Sequence, residues 1–315
     1  MQVLYYSPTT WSNTDFYRTT GVLPFINHPD IITRDVSHYG GINQYDIEGA
    51  DVLIIQRPGT PNGLQMIRNA KLAGLKVITD FDDNVISVNF LNPTYPQYQQ
   101  QRDIILKCIE LSDEVWVSTQ SIKESFGRGV VIPNALNEDI MGKCAKFNKG
   151  SNKIVWRGGS SHEGDLYENA DNIVEMVNTH TELDFYFIGH RFTYFEQRCG
   201  DNYNSVEGMP IMSYFSYLKQ LKPLAIIFPL SDHLLNRGKS NISYLEATLV
   251  GASYFGNTTL PEFDKIEVLP LGLFDDYISN EDVLSKTHAA AIGDVQKNFL
   301  LSDINKLRIE SLLNI

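Results

Sequence analysis

Short apolar runs rich in Val, Ile, Phe and Tyr alternate along this chain with longer stretches whose apolar positions recur at a helical period. The runs QVLYYS (2–7), DVLIIQ (51–56), KVITDF (76–81), EVWVST (114–119) and GVVIPN (129–134) predict buried strands of a parallel sheet. TDFYRTTGVLPFI, GLQMIRNAKLAG, QQRDIILKCIELS and TQSIKESFG predict the helices that cross between them. Residues 138–152 lose this periodicity and gain Gly, Lys, Asn and Ser, as a linker does. The alternation then restarts with strands KIVWRG (153–158), LDFYFIG (183–189), a short one near 204–207, PLAIIFPL (223–230) and ASYFGN (252–257). Helices are predicted near 163–179, 212–221 and 239–250, with a final amphipathic helix in VQKNFLLSDINKLRIESLLNI. The pattern predicts an α/β protein of two Rossmann-like doubly wound domains facing a cleft, 1–145 and 146–295, with a C-terminal helix, 296–315, that crosses back to the first domain.

A chain of 315 residues is long enough for two such domains, and 43% hydrophobic with 20% charged residues excludes a disordered or fibrous protein. The start, MQVLYYSPTTW, has no basic region followed by an apolar stretch. The longest apolar runs, such as LAIIF (224–228), fall far short of the roughly 18 to 20 residues of a membrane span, so the reading is a soluble, cytoplasmic protein. Its Tyr- and Asn-rich composition has a phage-like character, and for a phage-encoded chain the compartment is the host cytoplasm. Cys108, Cys144 and Cys199 are far apart and form no CxxC pair, which supports neither a zinc cage nor a disulfide framework. The net charge of -12 is uneven: residues 1–150 hold 13 Lys and Arg against 16 Asp and Glu, and residues 151–315 hold 13 against 22. A polyanionic partner is therefore open to the first half only.

The stretch LSDHLLNRGKSNISYLEATLVGAS (230–253) concentrates the candidate chemistry. LAIIFPL reads as a buried strand, and the turn after it delivers the chain to a helix whose amino end lies near Lys239 and Ser240. Unsatisfied N–H groups and the helix dipole favour an anion there, and a lysine with a hydroxyl suits a diphosphate. At about 100° per residue Lys239, Ser243 and Glu246 share one face, and Ile242, Leu245 and Leu249 form an adjoining apolar face. The helix then reads as half core and half ligand wall. Glu246 would lie about 10 Å along the axis from Lys239, the reach from a terminal phosphate to a ribose. The plainer alternative is a surface helix with an ordinary Ser cap and an exposed Glu.

Together with KVITDFDDNV (76–85), DEVWVSTQSIKESF (113–126), VIPNALN (131–137) and IVWRGGSSHEGDL (154–166), this stretch resembles glycosyltransferases of the GT-B fold, in particular the retaining family 4. The resemblance runs in order over nearly the whole chain, and the combination of WxGxxxHxxDL with PLxxxxxNxGKSNxxYLEAxxxG is its most specific part. It implies a nucleotide-sugar donor, UDP- or GDP-linked, held by the second domain, with no cofactor besides that co-substrate and no metal. Glu246 would meet the ribose, and Lys239, Ser240 and Asn241 the diphosphate. Arg157, Gly158, Gly159 and Ser160 would form the phosphate-side loop, unless that loop is only a tight turn capped by Ser160 or Ser161. Many members carry a second glutamate that addresses the transferred sugar; counting back from Glu246 puts Gly238 at that place. Asn236 and Asp232 are the nearest polar substitutes, each equally a turn former.

The first βα loop, YSPTTWSNTDFYR, lacks the glycines of a dinucleotide fold, which leaves the first domain for the acceptor. Asp82 and Asp83, at the end of KVITDF, could orient or deprotonate an acceptor hydroxyl, or merely cap the loop. His162 could touch the donor, or be structural. Arg18 and Arg57 are further cleft candidates, and VEGMPIMSYF (206–215) a candidate base-reading loop. Asp80-Phe81-Asp82 matches a DxD metal motif only superficially, in the wrong half. The acceptor reads as a saccharide or small molecule, or as a hydroxylated base in DNA with Arg18, Arg34, Arg57, Arg68, Lys71 and Lys76 as phosphate contacts. A nucleotide-sugar 2-epimerase and a non-catalytic sugar-nucleotide-binding protein are the alternatives on this fold.

Overall fold

A computed structural model describes residues 1–9, 13–37 and 42–315. The first six-stranded sheet contains β1 (Gln2–Tyr6), β2 (Ile32–Asp35), β3 (Val52–Gln56), β4 (Lys76–Phe81), β5 (Glu114–Val117) and β6 (Val130–Val131) in the order β2-β1-β3-β4-β5-β6. The second contains β7 (Lys153–Gly158), β8 (Asp184–Gly189), β9 (Tyr203–Glu207), β10 (Ala225–Phe228), β11 (Ser253–Gly256) and β12 (Leu269–Pro270) in the order β12-β11-β10-β7-β8-β9. Every pairing between these strands is parallel. The chain is thus two parallel-sheet α/β domains. Strand order reverses between β1 and β3 in one sheet and between β7 and β10 in the other, and such switch points open crevices at the carboxyl ends of the strands.

Continuous apolar runs make both faces of the central strands buried, as in β3, where every residue is buried. Alternate residues feed two cores: Leu4, Leu53, Ile55 and Val77 meet Met66, Ile67 and Ala70 of the helix Pro61–Leu72. On the opposite face Val3, Tyr5, Ile54, Ile78 and Trp116 meet Leu301, Ile304 and Leu312 of the last helix, Leu301–Leu313. Trp116 Nε1 also donates to Ser311 Oγ at 2.8 Å. Local signals set the helix ends. Thr60 accepts from Gly63 N ahead of Pro61, and Thr119 accepts from Ile122 N to start Gln120–Phe126, which Gly127 ends in the left-handed region at φ 70°.

Several elements depart from the sequence reading. β2 and β12, both at sheet edges, are too short and too mixed in polarity to show as apolar runs. The segment predicted as one helix after β1 holds the helix Asn13–Arg18 and a separate 3-10 turn, Leu23–Phe25. The C-terminal amphipathic segment is broken: the helix Glu281–Asn298 ends, and Leu300 is extended (φ -77°, ψ 142°) before the last helix begins. The cause is tertiary, since Leu136 N donates to Phe299 O (2.8 Å) and Leu301 N to Leu136 O (2.9 Å), a β-bridge that a continuous helix could not make. Among the described residues no helix is long and apolar enough to cross a membrane.

Candidate active site

The carboxyl ends of β3 and β4 carry the charged groups of the first domain. Arg57 follows β3 with φ at 42°, a left-handed conformation uncommon for a side-chain-bearing residue, and its N–H donates to Asp80 O at 2.9 Å. Its guanidinium pairs with Asp82 through Nε and with Asp83 through an Nη, and Lys239 of the second domain reaches Asp83 Oδ1 at 2.9 Å. Two carboxylates and two cations therefore meet across the domain seam. Their environments split the acids. Burial pushes Asp82 upward despite Arg57, whereas at Asp83 burial is outweighed by Lys239 and then Arg57, which hold it well below the usual carboxylate range. Asp82 is the more basic of the pair, and Asp83 the fixed counter-ion.

Glu246 is fully buried in the helix Ile242–Val250. It accepts from three donors: Tyr17 OH of the first domain at 3.0 Å, Arg157 Nε at the end of β7 at 2.8 Å, and Tyr214 OH at 2.9 Å. Such a charge is tolerable only because each oxygen is engaged. Burial, and next the charge of Glu246, push both phenols well above their ordinary range, so both stay protonated donors. Meeting a ribose would require Glu246 to exchange one of these donors.

Arg157, Gly158, Gly159 and Ser160 border a cavity of about 310 Å³ at the carboxyl ends of β7, β8 and β9, with Gly189, Gly208, Met209 and Tyr214 on its other sides. Gly208 and Met209 come from the loop singled out for base reading. Two glycines are dictated by close approach. Gly189 has φ 116°, and a Cβ there would stand 2.2 Å from Gly158 O; a Cβ on Gly158 would meet the Trp156 ring at 2.7 Å and His162 at 3.1 Å. Gly159 faces open space, which leaves its backbone accessible. His162 is buried, 3.3 Å from Asp165 Oδ2, with its ring against Phe228. Burial, then Lys239, lower its pKa below the ordinary 6.5, so the imidazole is neutral at pH 7. As the pH falls the unfolded chain takes up this proton first, so stability is fully present above about 6.5 and declines as pH drops toward the folded pKa. His162→Gln is therefore expected to flatten the fall in melting temperature between about pH 7 and pH 5, and an unchanged slope would assign that fall elsewhere.

Other candidates sit differently from the sequence reading. The helix starts at Ile242 with Asn241 as N-cap, so Lys239 and Ser240 precede it, and a separate short helix, Leu234–Arg237, fills the stretch read as a turn. All residues from Ser243 to Val250 are buried, so this helix is core on every side rather than half ligand wall, and Glu246 is not the exposed residue of the plainer reading. Ser240 Oγ accepts from Asn134 Nδ2 of the first domain at 2.8 Å. Asn236 is buried and donates to Asp165 Oδ1 (2.6 Å) and Ser231 O (2.9 Å), and Asp232 is paired with Arg237 at 2.6 Å. Both are engaged away from the place left by Gly238. There a Cβ would lie 3.0 Å from Asn84 Cβ and 3.1 Å from Ile122 Cγ1, so a glutamate at this position, as in family 4, would need these neighbours to shift by a few tenths of an ångström. Neither Ser160 nor Ser161 caps the turn after β7; its N-cap is Gly159, without a side-chain bond.

Arg18 is not at the surface of the cleft. It is fully buried, bidentate to Asp80 at 2.8 Å for both bonds, and also donates to Ile132 O and Asn134 Oδ1. This pairing also occupies the first acid of Asp80-Phe81-Asp82. Lys71 and Lys76 converge on Asp113 at the amino end of the sheet, opposite the cleft, and Arg34 faces Asp46 at 3.5 Å. The six cations thus do not form one patch at the cleft. Sequence reasoning did not single out Tyr17, Tyr214 or Asp165 as site residues, although Tyr214 falls in the loop VEGMPIMSYF and Asp165 in the WxGxxxHxxDL pattern. No local pattern marks Tyr17, whose partner Glu246 lies 229 residues away.

Comparison with solved structures finds the same two-domain architecture. An alpha-glucosyltransferase in complex with UDP and a 13-mer DNA containing a central A:G mismatch superposes with a TM-score of 0.65 at 11% identity, over 99% of this chain and 100% of that one. The UDP-GlcNAc 2-epimerase from Neisseria meningitidis bound to UDP-GlcNAc gives 0.58 at 12% identity, over 100% of both chains. A point mutant of S. aureus TarM, in complex with Fondaparinux, alpha-GlcNAc-glycerol and UDP, gives 0.61 at 10% identity over 82% of this chain. The chain spans 54% of that protein, about half its length. No family model and no curated protein matches the chain. At such identities the likeness is one of fold, and the fold is GT-B.

Proposed function

We propose that the protein is a retaining, metal-independent glycosyltransferase, akin to family 4, that moves a sugar from a UDP- or GDP-linked donor to an acceptor hydroxyl on a saccharide, a small molecule or a hydroxylated base in DNA. The observation that carries this reading is the glycine-edged cavity beside Arg157, at the carboxyl ends of β7, β8 and β9 and next to the second sheet's switch point. Backbone at Gly158, Gly159 and Ser160 approaches the diphosphate closely, and Arg157 and Lys239 supply positive charge; Ser240 and Asn241 flank that lysine, and Glu246 meets the ribose. In the reaction the bond from the anomeric carbon to the diphosphate oxygen breaks. That carbon bonds to the acceptor oxygen on the same face, and the acceptor proton passes to the departing diphosphate. The protein mainly stabilises the leaving charge and positions the acceptor, a task for Asp82 with Asp83 as its neighbour. If Nδ1–H of His162 is donated to Asp165, Nε2 is left to accept from a sugar hydroxyl. The compartment proposed for this chemistry is the cytoplasm.

A thermal-shift series with UDP, GDP and their common sugar conjugates tests the reading. One nucleotide at about 100 times its Kd is expected to add about 2.7 kcal/mol of stability, and Lys239→Ala to lose most of it. No shift with any nucleotide would overturn the assignment. Conversion of the sugar nucleotide to an epimer without acceptor would instead identify a 2-epimerase, and binding with no turnover of any kind a non-catalytic protein.

A further inference from the structure

Residues 84–101, NVISVNFLNPTYPQYQQQ, follow Asp83 directly and form the longest run of the chain without Asp, Glu, Lys or Arg. A charged fraction of 20% would place about four charges in it. Burial does not explain the deficit, because all but Asn84, Val85 and Val88 reach the surface at least in part. Seven of the eighteen are Asn or Gln, so the surface is polar without being charged. Phe90 and Leu91 stand out from it, 74% and 53% exposed. The turn that presents them is firmly held: Asn89 Oδ1 accepts from Leu91 N at 3.0 Å, Asn89 O accepts from Asn92 N at 2.9 Å, and Asn92 Nδ2 donates to Ser161 O of the second domain at 2.7 Å. A ring held out on a fixed turn offers a stacking platform that a ligand meets without an ordering cost.

Past the turn the chain enters the helix Tyr95–Leu111, whose Gln97, Tyr98 and Gln101 edge a concavity of about 270 Å³ at the carboxyl ends of β1, β3 and β4. Their two amides and one phenol reach solvent and have no hydrogen-bond partner among the described residues. Tyr6 and Thr60 add hydroxyls to the same lining. Amides and hydroxyls both donate and accept, which is what the hydroxyls around a sugar ring require. Charge excludes the polyanionic alternatives. A nucleic acid or an acidic glycan needs cations along its path, and Arg57, the one charged residue among the described residues that line the concavity, is already paired with Asp82 and Asp83. A free nucleoside or other single ring would fill the concavity and leave Phe90, which is not part of its lining, without a use. An uncharged chain of sugars uses both.

We infer that residues 84–101 form a binding surface for an uncharged oligosaccharide, with one sugar in the concavity against Gln97, Tyr98 and Gln101 and a further sugar stacked on Phe90. That this oligosaccharide is the acceptor rests on the proposed transferase function; its binding does not.

Binding is measured without any donor, by ligand-observed NMR and calorimetry. The neutral probes are the tetrasaccharides of the malto, cello, xylo, manno and chito series with their monosaccharides; oligogalacturonate and a single-stranded oligothymidylate are the charged arms. At least one neutral tetrasaccharide is expected to bind, more tightly than its own monosaccharide and indifferently to salt, while neither polyanion binds. Phe90→Ala should weaken the tetrasaccharide roughly fivefold, the effect of losing one ring contact, and Gln97→Ala should weaken it as well. Both positions are exposed, so neither change threatens the fold, and the nucleotide-induced thermal shift should persist in both variants. No binding of any neutral tetrasaccharide, equal binding of tetrasaccharide and monosaccharide, binding unmoved by both substitutions, or salt-sensitive binding of a polyanion in preference to the neutral probes would overturn the inference. Nucleotide binding without oligosaccharide binding defeats this surface and leaves the transferase reading standing; oligosaccharide binding without nucleotide binding defeats the transferase reading and leaves the surface.

Discussion

Arg157→Met is expected to cost about 3–5 kcal/mol of folding stability, because it strips the paired cation from the fully buried Glu246 and leaves two neutral phenols to hold its charge. Urea unfolding of the variant should show a midpoint drop with unchanged slope. Removing the acid as well, in Arg157→Met with Glu246→Leu, should recover most of the loss, since a well-packed apolar pair can replace a buried ion pair at little net cost. A loss under about 1 kcal/mol would show that the Arg157–Glu246 pair contributes little to folding.

Lys239→Met is expected to lower turnover by about 100- to 1,000-fold, the usual effect of deleting one group that meets developing negative charge. Folding should suffer far less, because Asp83 keeps Arg57 as a partner. The pH profile supplies a second readout. Lys239 is the largest of the influences lowering Asp83, so its removal should move the acid limb of the rate to higher pH. Steady-state kinetics across pH would check both. Full activity with an unmoved acid limb would place the leaving charge on Arg157 and the backbone instead.

The two-domain parallel architecture was legible in the sequence because buried parallel strands are continuous apolar runs, and β1, β3, β4, β5, β7, β8 and β10 all show as such. Two of the four edge strands, β2 and β12, were not: β2 alternates between half-buried and exposed residues and reads like a loop. Helix faces misled where a helix is surrounded. Lys239, Ser243 and Glu246 fall on one face by periodicity, yet the helix Ile242–Val250 is enclosed on all sides and starts after the lysine. Periodicity can separate two faces of a helix but cannot say that both are covered. At the site itself, residue types and strand-end positions were readable, as with Asp82, Asp83 and Arg157. Their partnerships were not, because Tyr17 with Glu246 and Arg18 with Asp80 are set by tertiary packing over long separations. The glycine at 238 was visible as a departure from family 4, and only the proximity of Asn84 and Ile122 gives it a physical reason.

The bridge between Leu136 and Leu300 governs how the two halves can move. The chain passes between the domains twice, once near Leu136, between Ala135 of the first domain's core and Met141 of the second's, and once at Phe299 and Leu300, and this backbone pairing ties the two passages side by side. Two adjoining tethers resist twist and translation and leave bending as the soft coordinate, in the manner of a door on paired pins. Asn134, two residues from the pairing, keeps its bond to Ser240 close to the axis, while Tyr17 on Glu246 and Asn92 on Ser161 act as latches on the swinging edge. A ligand that engaged Glu246 would compete with the Tyr17 hydroxyl for Oε1 and so loosen this edge.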